Sequence, residues 1–295
     1  MTVAHPLAAA GVPAGHRFLF DLQGFVLLRG VLSPGECASL LGTVRRLEAV
    51  AHDDGWRQRL APEHRAAASP TRQAYIDHGV RLNGLLRLDP AFDALIDHPR
   101  VLPYVREFMG APQVINTWSI SKAMDTGVGG WHRGATPMQY WCREGVIRSA
   151  MLNAVWFLSD NGPDDGCMCA VPGSHKSDLA RLGAYDAQAV RDGGADFDYA
   201  AHPGLALPGS VPITGSAGDV LVFSEALIHG GLRKTTPGLR TNLYVNHLHR
   251  LYSVAGHEPA NMRHFWLPER LRERFTPARR ELTDWMRHAR YELDE

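Results

Sequence analysis

The sequence predicts a mainly β protein with flanking helices whose core is an antiparallel barrel or jelly roll, and three features lead there. From Val114 onward, short runs rich in β-branched and aromatic residues succeed one another (VINTWSI, SAMLNAVWFL, MCAVPGS, DVLVFSEALIHG, TNLYVNHL), parted by Gly, Pro, Asp and Asn. Before them, apolar positions recur at helical spacing. After them, a tail from Pro268 to Glu295 is rich in Arg and Glu and helical in pattern. A single domain over residues 1–295 follows, with a helical buttress at about 16–112, the β core at 113–252 and a helical segment at 253–295.

Taken in order, Gly24 to Leu28 (GFVLL) reads as a short strand. Ser33-Pro34-Gly35-Glu36 then has the Ser-x-x-Glu pattern and early proline of a helix start, and the helix should run to about Ala51. Residues 52–72 are polar, weakly periodic and rich in Pro and Ala, the texture of a loop that can cover a site. From Ala91 to Met109 helical spacing returns, broken at His98-Pro99 and closed by Gly110. In the tail, Trp285 and Met286 are the candidate packing residues and the charges read as a solvated face. Cys37, Cys142, Cys167 and Cys169 are too few for a disulfide framework and read as reduced core or near-core thiols.

Charge narrows the function. The 31 basic and 31 acidic side chains cancel, so no overall field draws the chain to a nucleic-acid polymer or an anionic membrane, and a small-molecule partner is expected. The opening residues lack the pattern of a secretory leader and no apolar run reaches membrane-spanning length, so a cytoplasmic location is expected.

Two histidines occur in contexts unlike a core strand: Trp131-His132-Arg133-Gly134 after a Gly-rich turn, and Ile228-His229-Gly230-Gly231 at the end of an apolar run. Neutral imidazoles bind Fe(II), and an oxygen-activating iron needs open positions, so two or three protein ligands suffice. With 15 histidines in the chain, a structural role stays open on residue type alone.

The segments QGFVLLRGVL, NAVWFLSDNGPDDGCMCAVPGSHK and GDVLVFSEALIHGG occur in that order across about residues 20–250. Their specific pieces are Asp165-Gly166-Cys167, Val171 to Lys176 (VPGSHK), and Gly218-Asp219-Val220 ten residues before His229. Together they resemble the phytanoyl-CoA dioxygenase family of 2-oxoglutarate oxygenases. The resemblance implies a double-stranded β-helix, the cupin-like form of the jelly roll, with Fe(II), 2-oxoglutarate and O2 as cofactor and co-substrates. It implies His132 and His229 as metal ligands, Arg240 as the clamp on the distal carboxylate of 2-oxoglutarate, and Trp156 beside that co-substrate. Plain core packing remains the alternative for Trp156, and a surface ion pair for Arg240. His175 in the PGSHK loop is expected to be structural, and Asp160, Asp164 and Asp165 are explained by turn chemistry. Gly231 stands where the family often has a small hydroxyl residue.

The family's usual motif is His-x-Asp/Glu, but here the third ligand position is Gly134. Similarity to halogenases of this superfamily implies that chloride fills the gap, which makes Gly134 the expected halide site and the leading expectation a chlorination of an sp³ carbon. A hydroxylase with an unusual ligand set, or a non-catalytic cupin-like binder, are the alternatives. Asp125 and Glu144 are open as displaced carboxylates, whereas Glu225, four residues before His229 on what should be one regular strand, would lie roughly 13 Å away. Arg133, Tyr140, Trp141 and Arg143 follow the iron motif, and aromatic faces beside arginines suit a flat base and a phosphate. A packed loop with solvated arginines explains the same residues. Similarity to nucleoside-antibiotic halogenases implies a purine nucleotide such as 2′-deoxyadenosine monophosphate as substrate.

Overall fold

A computed structural model of the chain describes residues 11–51, 80–124, 129–134, 139–177, 209–251 and 267–288. The loop expected at 52–72 lies outside the described residues, as does Asp125.

Helix α1 (Ala14–Gln23) ends at Gly24, whose φ of 87° lets the chain reverse directly into β1 (Phe25–Leu28). Helix α2 (Pro34–Ala51) starts on the expected reciprocal cap, with the Ser33 backbone N–H donating to Glu36 Oε2 at 2.8 Å and the Glu36 N–H donating to Ser33 Oγ at 3.3 Å. The helical spacing at 91–109 resolves into a 3-10 turn (Pro90–Leu95) and a helix (Leu102–Met109) capped at Gly110. One strand in this region was not foreseen: β2 (Val80–Asn83) adds an edge to the main sheet.

The β core is two antiparallel sheets. The larger has the order β1, β10 (Val220–Ser224), β7 (Met151–Phe157), β12 (Arg240–His249), β3 (Pro112–Lys122), β2. The smaller has the order β4 (Gly129–His132), β11 (His229–Gly231), β8 (Met168–Ala170), β9 (Val211–Ile213). A separate hairpin joins β5 (Tyr140–Arg143) to β6 (Val146–Ser149).

Strand alternation divides the large sheet into two faces. One face, with Leu152, Ala154, Trp156, Val220, Val222, Leu243 and Val245, packs on the helices in the main core. The other, with Val155, Phe157, Leu221 and Phe223, meets Ala170 and Ile213 of the small sheet in a second core. The sheets therefore enclose a space between them, and residue parity decides which side chains reach it.

The GDV and DGC motifs are structural parts of this frame. Asp219 accepts from the Gly30 and Ser216 N–H groups at 2.8 and 2.9 Å and from Arg29 at 2.7 Å, which pins the start of β10 to the turn after β1. The tail is helical as expected and Met286 is buried, but its charges are not all solvated. Arg272 is buried, and Arg274 and Arg279 reach back to Asp93 and Asp97 at 2.6 and 2.8 Å. Cys37, Cys167 and Cys169 are buried free thiols, while Cys142 is exposed.

Candidate metal centre and its cavity

His132 ends β4 and His229 begins β11, and the two are direct partners in the antiparallel register. Their ring centroids are 4.2 Å apart, so strands distant in sequence bring both imidazoles to one point. His229 Nδ1 donates to the Leu227 carbonyl at 2.9 Å, which fixes the tautomer and leaves Nε2 bare as a donor to a metal. Burial holds the His229 pKa down to about 4, so the ring is neutral at physiological pH.

The pair opens onto a cavity of about 530 Å³ between the sheets. At one side Arg240 and Lys122, register partners on β12 and β3, both face it. Arg240 Nη2 donates to the Gly166 carbonyl at 2.8 Å and Lys122 Nζ donates to the Leu232 carbonyl at 2.8 Å. Burial, with the neighbouring Arg240 charge, lowers the Lys122 pKa to about 7. Near pH 7 Lys122 therefore readily gives up its proton beside Arg240, and a carboxylate bound between the two, which a dicarboxylate supplies, favours its charged form. Lys122 was not anticipated; its even-numbered position on β3, in phase with Trp118 and Ile120, is the signal that would have found it.

Further along the same two strands, four residues from each cation, the lining becomes aromatic and amide-rich. Trp118 and Tyr244 stack at 3.7 Å and 6°, and the Arg81 guanidinium lies 4.0 Å from the Trp118 ring centre. Trp118 Nε1 donates to Asn246 Oδ1 at 2.8 Å, Asn246 Nδ2 donates to Asn153 Oδ1, and Asn153 Nδ2 donates to the Glu225 carboxylate.

Glu225 overturns one expectation. β10 ends at Ser224, and residues 225–228 turn so that the chain crosses from the large sheet to the small one. The regular-strand separation from His229 does not apply, because both residues line the same cavity. Continuing the inward phase of Leu221 and Phe223, Glu225 is buried beside Gly134, whose N–H donates to the Glu225 carbonyl at 2.9 Å. A Cβ built on Gly134 would stand 2.3 Å from Glu225 Oε2 and 3.0 Å from its Cδ. Burial raises the Glu225 pKa, opposed by His132 and by the Gly134 N–H.

Other expectations are redistributed. Trp156 is fully buried on the helix-facing side of β7, edge-on to His98 at 5.1 Å, and is absent from the cavity lining. Strand parity excludes it from the co-substrate side, so packing is its role. Tyr140 donates to Asp21 Oδ1 at 2.7 Å and meets the buried His175 ring at 4.4 Å. Trp141 is exposed, and the Arg143 side chain is 82% exposed with Glu144 at 3.6 Å. Tyr140, Trp141 and Arg143 are thus outside the cavity lining, because the hairpin β5–β6 packs on the helical side, and Arg133 is absent from the lining although its neighbours His132 and Gly134 are part of it. The aromatic-plus-arginine surface expected of them is provided by Trp118, Tyr244 and Arg81 instead.

The sequence profile of the phytanoyl-CoA dioxygenase (PhyH) family matches residues 20–242, three quarters of the chain. The chain belongs to the phytanoyl-CoA dioxygenase family. It is accordingly a non-haem Fe(II)- and 2-oxoglutarate-dependent enzyme, and the paired histidines, the bare Nε2 of His229 and the two buried cations suit those groups. An ectoine dioxygenase of Nocardia farcinica is 24% identical over 237 residues, spanning 77% of this chain and 74% of the relative. The corresponding enzyme of Streptomyces coelicolor is 23% identical over 253 residues, 81% of this chain and 79% of the relative. HygX from Streptomyces hygroscopicus, solved with nickel and 2-oxoglutarate, superposes with a TM-score of 0.64 at 22% identity, covering 83% of this chain and 90% of that one. The carbocyclase SnoK of nogalamycin biosynthesis gives 0.56 at 20% identity, covering 81% and 84%. These likenesses establish the double-stranded β-helix for this family member. Among the described residues no helix is long and apolar enough to cross a membrane.

Proposed function

We propose that the chain hydroxylates an aliphatic carbon of a free small molecule in the cytoplasm, with His132 and His229 holding Fe(II) and Arg240 holding 2-oxoglutarate. The observation that carries this reading is the Glu225 carboxylate, which fills the space beside Gly134 where a halide would otherwise enter. When bound, the iron supplies the centre at which 2-oxoglutarate is oxidised to succinate and carbon dioxide and one oxygen atom of O2 enters a C–H bond.

The chain's own residues do the positioning. Arg240 and Lys122 neutralise the distal carboxylate of 2-oxoglutarate, so that its 2-oxo acid end is directed to the histidine pair. Further along the same sheet face, the stacked Tyr244 and Trp118 rings, Arg81 and the amides of Asn116 and Asn246 suit a flat or rigid ring carrying acceptors or a negative charge. A purine nucleotide such as 2′-deoxyadenosine monophosphate has that chemistry. The ectoine dioxygenase relatives make a small zwitterionic ring the other substrate to try first.

Chlorination of an sp³ carbon is the second reading, favoured by Gly134, which offers the metal no ligand atom. The two are separated by supplying Fe(II), 2-oxoglutarate, O2 and abundant chloride with a panel of purine nucleotides, cyclic amino acids and alkaloids, then weighing the products. Hydroxylation adds one oxygen and chlorination exchanges hydrogen for chlorine; a chlorinated product as the main outcome sinks the hydroxylase reading.

A further inference from the structure

The geometry points to Glu225 as the third protein ligand of the iron, replacing across the sheets the carboxylate that Gly134 lacks. This rests on the iron-enzyme reading above and deepens it. Three observations carry it.

The first is mutual exclusion. A Cβ at position 134 would meet Glu225 Oε2 at 2.3 Å, and the Gly134 N–H bonds the Glu225 carbonyl, so the Glu225 carboxylate stands in the space that a side chain at 134 would enter and would have to move aside for one. The second is polarity. In the chain Trp118, Asn246, Asn153, Glu225, each amide accepts from the preceding donor and donates to the next group, and the run ends on Glu225 Oε1. An acceptor-only terminus is a carboxylate's part, and with Oε1 engaged, Oε2 is the oxygen on the Gly134 side. The third is burial. Glu225 is 6% exposed, and an enclosed anion is strongly disfavoured unless a cation compensates it. A divalent ion on the adjoining histidine pair does so. Among the described residues no three His, Cys, Asp or Glu side chains form a finished cage, so closure requires Glu225 to rotate about its side-chain bonds toward the pair.

The test is anaerobic titration of the full chain with Fe(II) and Co(II), reading affinity and the cobalt visible bands without substrate, with circular dichroism to check folding. Glu225→Gln keeps an acceptor for Asn153 and removes the charge. It should weaken metal binding more than about a hundredfold, beyond the ~10–100-fold that loss of an outer partner costs, while Asn153→Ala should fall within that range. Gly134→Asp alone should also weaken binding, and Gly134→Asp combined with Glu225→Gly should recover it to within about tenfold of the parent, because the carboxylate has returned to the other strand. Chloride should shift the cobalt bands of Glu225→Gly and leave those of the parent unchanged.

Parent-like affinity and bands in folded Glu225→Gln and Glu225→Gly overturn the proposal, as does a chloride shift in the parent. If those variants bind metal normally while the parent hydroxylates, only the ligand assignment falls. If Glu225→Gln loses the metal while the parent yields a product with neither added oxygen nor chlorine, only the hydroxylase reading falls, whereas a chlorinating parent removes the ligand assignment as well, because chloride then holds the position given to Glu225. Unaltered metal binding in His229→Ala removes both.

Discussion

The Arg240 side chain is held by its surroundings: its guanidinium is buried, lines the cavity and donates to the carbonyl of Gly166. Losing a charged hydrogen-bond partner costs about 1.5–3 kcal/mol, so Arg240→Ala should raise the 2-oxoglutarate requirement by about tenfold or more with little change in substrate affinity. Arg240→Lys should rescue poorly, because an ammonium cannot hold the carbonyl of Gly166 and a carboxylate in one planar fork. Steady-state kinetics with 2-oxoglutarate varied checks both, and an unchanged requirement would move the role to Lys122. At this scale the shared cavity of His132, His229 and Arg240 was legible, the histidines from their Gly-flanked contexts and Arg240 from its place eleven residues after His229 in the family resemblance. Trp156 was misplaced for lack of strand phase, and Glu225 was dismissed by treating residues 225–229 as regular strand, when a turn carries the chain between sheets there.

Among the elements, α2 is tied to the large sheet by a polar cluster rather than by apolar packing alone. Arg45 donates to Glu48 at 2.7 Å and to Thr241 Oγ1 at 2.9 Å, and Ser121 donates to Glu48 Oε1 at 2.5 Å. Ser121 and Thr241 are the odd-numbered, helix-facing neighbours of Lys122 and Arg240, so the cluster backs the strands that present those cations to the cavity. Glu48→Ala removes the carboxylate partner of both Ser121 and Arg45, leaving the Ser121 hydroxyl only Thr241 Oγ1 at 2.8 Å, and should destabilise the fold by about 1–3 kcal/mol. Denaturant unfolding should show the lower midpoint at unchanged slope; a stability equal to the parent's would mean that α2 docks by its apolar face. The helix was foreseen from its Ser33–Glu36 cap, whereas β2 was not, since four residues between turns carry too little periodicity to announce a strand.

For the molecule as a whole, burial holds the pKa values of His175 and His247 down to about 4, below the ordinary 6.5. As pH falls through 6.5 the unfolded chain takes up protons that the folded protein refuses, so stability declines from there until the folded rings titrate near 4. The slope should approach about 1.4 kcal/mol per pH unit for each histidine. Urea midpoints measured from about pH 7 to pH 5 should therefore fall, and a flat profile would mean that these rings are protonated in the folded state.

Composition, strand texture and the ordered motifs determined the fold class and the histidine pair, because hydrophobic period and turn chemistry are local properties of the chain. The cavity's population was decided only by tertiary structure. Which of two alternating faces looks inward depends on register, which paired β12 with β3 and β7 and so turned Arg240, Lys122, Trp118 and Tyr244 inward and Trp156 out. Whether Gly134 leaves a gap depends on a strand about ninety residues away, where a turn brings the Glu225 carboxylate into the space that glycine leaves open.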